Sequence, residues 1–273
     1  MRTALATLVA LGLGASQSAR AQSAPFTDVP DRYLVEVGGF NVAAETKLRL
    51  SSERLGGTTI DFESALDLPD VARRGYVDAY WRAGRRHLLN LSFARLHREG
   101  PGRTLSREIA WGDSVFTVGA TVRGSMESDH LSGAYRFAAF RNDRFEIGPA
   151  LGFGYLWITA GLRAEGSGAA GATLDRESTT GSVTGDLGGY FHGWAAKRVL
   201  VRGDMRYVII KPERSEASVT EGRVGLTYYP WPKVGFGAQY TYIKFRYDRD
   251  ILVSKISGSY RYSGAQVLAS FAF

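Results

Sequence analysis

The stretch VLVRGDMRYVII, residues 199–210, divides by parity. Val199, Val201, Met205, Tyr207 and Ile209 are apolar, while Arg202, Asp204 and Arg206 between them are charged. Successive side chains of a β-strand point to opposite faces, so as a strand this segment has one oily face and one ionic face. The division recurs. Gly75, Val77, Ala79 and Trp81 oppose Arg74, Tyr76, Asp78, Tyr80 and Arg82; Leu89, Leu91 and Phe93 oppose Asn90, Ser92 and Ala94. Phe145, Ile147, Leu151, Phe153, Tyr155 and Trp157 oppose Glu146, Gly148, Ala150, Gly152 and Gly154. Val234, Phe236, Ala238, Tyr240 and Tyr242 oppose Gly235, Gly237, Gln239 and Thr241. The charged face carries too much charge to pack dry against a second sheet. The apolar face is too continuous to meet water. Both are satisfied when the sheet turns its apolar face to lipid and its polar face to a lumen. Such a sheet must close, because an open edge in hydrocarbon leaves backbone groups unpaired. The fold class is therefore all-β: a closed antiparallel transmembrane up-and-down barrel.

Connection lengths set the strand number. Ala83–Arg86, Arg141–Asp143, Ala195–Lys197 and Tyr229–Lys233 are short, whereas Arg98–Val122 and RAEGSGAAGATLDREST are long and polar or glycine-rich. Outer-membrane barrels have short periplasmic turns and longer external loops. Four short turns with both termini on the periplasmic side predict ten strands, over 31–42, 71–83, 86–98, 124–140, 143–164, 178–195, 198–211, 214–229, 233–248 and 254–273. TKLRLSS (46–52) and REIAWGDSVFTVG (107–119) also alternate, and read as strand extensions or hairpins above the membrane. If they cross it the count is twelve; a misassigned hairpin makes it eight. Pro149, inside an alternating run, predicts a bulge or a break in pairing.

The ends agree with export to a membrane. Arg2, an apolar run from Ala4 to Leu13 and the small-x-small site Ala19-Arg20-Ala21 have the layout of a secretory signal peptide, residues 1–21, with a barrel domain over 22–273. Cleavage there would lower the formal charge from +7 to +5 by removing Arg2 and Arg20. No later apolar run is long enough for a membrane helix. Cysteine is absent, which excludes a disulfide framework and thiolate metal ligation. The basic charge is interleaved with acids, so nucleic acid is not an expected partner. The terminal AQVLASFAF alternates too, and sets Val267, Ala269, Phe271 and Phe273 on the lipid side.

The segments TTIDFESALDLPD (58–70), YWRAGRRHLLNLSF (80–93), SREIAWGDSVFTVGATV (106–122) and YSGAQVLASFAF (262–273) resemble a family of uncharacterised Gram-negative outer-membrane β-barrel proteins. The resemblance covers nearly all of the chain after the signal segment. It implies a cell outer-membrane address. It also implies that Phe271 and Phe273 form the terminal signal presented to the barrel assembly machinery. It brings no activity, ligand or catalytic residue.

Candidate chemistry lies on the inward face. Parity places Arg74, Arg82, Arg136, Arg202, Arg206 and Arg223 there, with Asp78, Glu146, Asp186, Asp204 and Glu221. In a narrow barrel these would pair and fill the interior as a plug, the alternative being a narrow conduit of mixed charge. His130 and Ser132 share a face but stand roughly 7 Å apart, too far for a direct nucleophile–base hydrogen bond. Asp61 and Glu63 on one strand face, followed by Asp67 and Asp70, lack ordered calcium-ligand spacing and read as a solvated loop. GSGAAGA (166–172) has no phosphate-loop context. The expectation is a monomeric barrel without catalytic residues, cofactor or metal, with a structural or surface-interaction role among outer-membrane lipids and lipopolysaccharide. The alternatives are a narrow passive diffusion channel and a lipid- or lipopolysaccharide-modifying enzyme.

Overall fold

The computed structural model describes residues 26–52, 58–111, 114–165, 174–210, 215–251 and 254–273. The expected signal peptide and the loop 166–172 lie outside the described residues. Strand β1 (Tyr33–Ser52) leads through a short β2 (Thr59–Asp61) and a one-turn α1 (Phe62–Leu66) to β3 (Val71–Arg82) and β4 (His87–Glu99). Then come β5 (Arg103–Thr104), β6 (Ile109–Trp111), β7 (Ser114–Phe116), β8 (Thr121–Phe137) and β9 (Phe140–Arg141). Six long strands follow: β10 (Phe145–Glu165), β11 (Leu174–Ala196), β12 (Val199–Ile210), β13 (Ser215–Trp231), β14 (Val234–Ile251) and β15 (Ser254–Ala272).

The long strands form a closed, antiparallel, ten-stranded barrel in the order β8-β4-β3-β1-β15-β14-β13-β12-β11-β10, sealed by β10 pairing back on β8. Apart from the β1–β15 seam, long strands that neighbour one another in the ring are successive long strands of the chain, joined by turns or loops. One such connection shows the chemistry: the Asn142 side-chain oxygen accepts from the backbone N–H of Arg144 (2.9 Å) and Phe145 (2.8 Å), closing a turn through the side chain.

Parity holds around the ring. Phe153 is 73% exposed, Val267 68% and Leu151 61%, all on the outer wall, whereas the residues between them are turned inward. Tyr33, Trp81, Phe145, Tyr228, Trp231, Phe271 and Phe273 gather near the end that carries the tight turns. That end is periplasmic by the turn rule. Above the apolar band, outward positions become charged: Glu45, Lys47, Arg73, Arg95, Glu127 and Arg261.

TKLRLSS forms the upper part of β1. REIAWGDSVFTVG supplies β6 and β7, a separate two-stranded sheet that does not join the wall, so the count stays at ten. At Pro149 the β8–β10 ladder begins one residue later, at Ala150↔Arg136, and a Cβ on the adjacent Gly148 would sit 1.8 Å from the Phe137 carbonyl oxygen. The break expected there lies on the β8 side, where β10 changes partner from β9 to β8. One expectation fails: Asp61 and Glu63 do not share a strand face. Asp61 ends β2 and caps α1, accepting from the Ser64 N–H at 3.0 Å, while Glu63 lies within the helical turn.

Candidate functional site: a lumen filled in three layers

The middle layer is ionic. Asp204 lies 3.1 Å from Arg223, 3.7 Å from Arg206 and 3.8 Å from Arg136. Arg206 also contacts Glu221 at 2.8 Å and Asp186 at 3.5 Å, and Arg223 reaches Asp78 at 2.8 Å. Each side chain arrives by strand parity, from β3, β8, β11, β12 and β13, so the network ties together strands that are not neighbours. The structure turns the eleven residues that parity placed on the inward face toward the interior, but they do not form one cluster. Glu146 stands nearer the periplasmic mouth, 2.9 Å from Arg82 and 3.2 Å from His192 Nδ1. Arg202 pairs with Glu36. Arg74 contacts no acid among the described residues; its guanidinium lies over the rings of Tyr262 (5.0 Å) and Tyr76 (5.9 Å).

The lumen holds residues beyond the expected set. Glu36, 1% exposed, sits alone among apolar neighbours in YLVEVGGF, although the parity of Tyr33, Val35 and Val37 points it inward. Tyr80 and Tyr190 sandwich Arg136, with its guanidinium 5.3 and 5.4 Å from their ring centres. Cation–π contact of this kind holds a buried arginine where carboxylates are few. Ser92 donates a hydrogen bond to Asp78, so it belongs to the network. His130 and Ser132 occupy successive inward positions of β8, and no hydrogen bond joins them among the described residues.

The outer layer is apolar. The β6–β7 hairpin and α1 fold back into the outer mouth. With β2 they set Ile60, Phe62, Leu66, Ile109, Trp111 and Phe116 against Met126, Ile158, Leu162, Phe245 and Tyr260 of the wall. Phe62 meets Trp111 edge-to-face at 6.1 Å. The acidic segment is thus partly drawn inside. Glu63 pairs at 2.6 Å with the buried Arg98, which also donates to the Thr46 hydroxyl (2.8 Å) and the Pro69 carbonyl (3.0 Å).

The periplasmic layer is a strap, Phe26–Arg32, laid across the mouth ahead of β1. Thr27 donates to the Lys197 carbonyl at 2.5 Å, Asp28 pairs with Arg198 at 2.8 Å, and Asp31 lies 3.0 Å from Arg82 and 2.7 Å from Arg141. Val29 packs with Leu200, Tyr229 and Ala272. The Arg198 hydrogen bond holds the Asp28 carboxyl below its ordinary value.

A closed antiparallel ring with an apolar outer belt, aromatic residues at its rim and an ion-paired interior defines a transmembrane β-barrel of the outer-membrane class. Among solved structures, the outer membrane protease OmpT from Escherichia coli is similar with a TM-score of 0.53, at 8% identity over 89% of this chain and 97% of that one. The transport unit of the autotransporter AIDA-I from Escherichia coli matches with a TM-score of 0.42, at 9% identity over 97% of this chain and 94% of that one. The toluene transporter TodX from Pseudomonas putida matches with a TM-score of 0.31, at 12% identity over 92% of each chain. At these identities the likeness to the protease is one of fold. No family model and no curated protein matches the sequence.

Proposed function

We propose that this protein is a non-conducting, non-enzymatic barrel. In this reading its filled lumen stiffens a pedestal for the outer loops, and its work is done at the outer surface. The observation that carries the reading is the layering of the lumen. A strap lies over the periplasmic mouth, an arginine–carboxylate network fills the middle and an apolar cap fills the outer mouth. A channel needs a continuous wet path with weak, multiple ion sites. Here each arginine of the middle layer is tied to carboxylates or tyrosine rings. The outward charges above the apolar band, Arg73, Arg95, Lys47 and Arg261 among them, suit contact with anionic lipopolysaccharide. In this reading the barrel works as a monomer.

Planar-bilayer conductance of the purified barrel tests this. The expected result is a quiet trace across a range of voltages. A steady, single-sized conductance from the wild type would overturn the reading in favour of the diffusion channel. Unchanged lipid A and phospholipid after expression are expected as well, and a modified lipid would promote the enzyme.

A further inference from the structure

The outer wall changes character along β14, β15 and β1. Low on these strands the outward residues are apolar: Phe236 stands opposite Ala269, and Ala238 opposite Val267. Tyr240 and Tyr242 follow, opposite Ala265 and Ser263. Above the tyrosines come two cross-strand rows of cations. In the first, Lys244 lies directly opposite Arg261, and Arg261 opposite Glu45. In the second, Arg246 lies opposite Ser259, and Ser259 opposite Lys47, which faces Asp61 of β2. Ile243 and Phe245 are buried in the lumen, so Lys244 and Arg246 point out of the barrel. Both acids of the rows are already taken, Glu45 by Arg261 and Asp61 by Lys47 at 3.7 Å. Lys244 and Arg246 ion-pair with no acid among the described residues. Like charges directly opposite one another on a sheet are destabilising, so Lys244 beside Arg261 calls for an anion between them. The wall of β4 and β8 differs. There Arg95 lies 3.3 Å from Glu127 and 3.5 Å from Asp129, so its charge is answered within the protein.

We propose that Lys244, Arg246 and Arg261 form a docking site for one phosphate monoester of lipid A, the lipid anchor of lipopolysaccharide. The site rests on the outer-surface reading above and gives its contact with lipopolysaccharide a place on the wall. Height selects a lipid over a free anion. Lys244 stands two residues above Tyr242, about 7 Å along the strand, where the apolar wall gives way to the headgroup level. Charge selects the headgroup. A phosphate monoester carries about −1.5 to −2 at neutral pH and offers three acceptor oxygens, which suits two unanswered cations and a shared arginine. A phosphodiester carries a single charge, and in a zwitterionic phospholipid it brings its own amine to the same cations. Shape selects the tail. Below the tyrosines Ala238, Ala265 and Val267 leave a shallow track of small side chains, in which an acyl chain lies against the wall.

Native mass spectrometry of the purified barrel in detergent tests the site, with bisphosphorylated lipid A, its dephosphorylated form and inorganic phosphate as probes. The bisphosphorylated lipid should be retained as a saturable adduct, the dephosphorylated form should bind about tenfold more weakly, and equimolar inorganic phosphate should displace neither. Lys244→Gln/Arg246→Gln should weaken the bisphosphorylated lipid about tenfold while the barrel keeps its heat-modifiable mobility on gels. Lys244→Arg, which keeps the charge and folds on the same pattern, should retain the lipid. Arg95→Gln, on the wall where acids answer the cation, should change retention by less than about twofold. Equal retention of the two lipid forms overturns the proposal, since it reports partition of acyl chains alone. So do displacement by inorganic phosphate, a double variant that binds as the wild type does, and an Arg95→Gln loss as large as that of the double variant. A barrel that is quiet in planar bilayers yet retains no lipid A overturns the site alone. One that conducts and still retains the lipid overturns the non-conducting reading and leaves the site standing.

Discussion

Asp204→Ala removes the carboxylate that touches three arginines, and the three are not left equal. Arg206 keeps Glu221 and Asp186, and Arg223 keeps Asp78 and Glu221. Arg136, only 1% exposed, loses its sole acid among the described residues and retains Asn90 Oδ1 at 3.4 Å and the two tyrosine rings. The cost therefore falls mainly on one guanidinium. Breaking one partner of a buried pair costs about 3–5 kcal/mol, and the tyrosine sandwich places Asp204→Ala at the lower end, about 3 kcal/mol. With a urea slope of about 1–3 kcal/mol/M, the unfolding midpoint in vesicles should fall by about 1–3 M, read by tryptophan fluorescence. The double variant Asp204→Ala/Arg136→Met removes the stranded charge as well and should recover most of the loss, because a buried pair replaced by apolar groups is close to neutral. A single variant that loses less than about 1 kcal/mol, or a double variant no better than the single, would refute the argument that this layer is dry and paired.

Leu151→Arg on the lipid face should cost about 2–4 kcal/mol if near the midplane and should reduce the folded, heat-modifiable form; insertion as efficient as wild type would mean that the faces are reversed. Gly148→Ala forces a Cβ onto the Phe137 carbonyl oxygen and should block folding. Gly185→Ala, whose added Cβ meets nothing within 4 Å, should be tolerated in the same gel assay. Asp28 titrates below an ordinary aspartate because Arg198 hydrogen-bonds its carboxylate, so the bond is intact above the ordinary value and is lost as pH falls through the lowered one. Protection of the amides of residues 26–32 from hydrogen exchange, taken relative to the intrinsic rate at each pH, should persist down through the ordinary aspartate range and be lost only below it, and Asp28→Asn should lower it throughout.

The wall was legible in the sequence because lipid and lumen impose opposite demands on alternate residues, and VLVRGDMRYVII states both demands in one strand. The filling was less legible. Glu36 could have been placed by carrying the parity of β1 through, but one acid among valines and glycines does not announce a partner 166 residues away. REIAWGDSVFTVG announces its strand period; whether it rises above the rim or folds into the mouth depends on Phe62 and Met126, which are distant in sequence. TTIDFESALDLPD looks like a solvated loop because its acids are frequent. The buried Arg98, itself one more alternating residue of β4, and the backbone N–H of Thr46 draw Glu63 inside. FTDVPDR has no periodicity at all, and its course across the mouth is set by Arg82 of β3, Arg141 of β9 and Arg198 in the turn between β11 and β12.

The seam between β1 and β15 has a kinetic consequence. Tyr33 and Phe273 exchange both backbone hydrogen bonds, at 3.0 and 2.8 Å, and the ladder above them runs to Ser52↔Ser254. Most other ladders in the ring join segments a turn or a loop apart and can zip locally. This one brings together the two ends of the sheet, so its loop-closure entropy is the largest and its contacts reward the chain last. Until it forms, two strand edges are open at once, and in hydrocarbon neither has water to pair with. The chain is thus committed to cross the bilayer as a nearly finished ring, and the residues at this seam decide when assembly becomes irreversible.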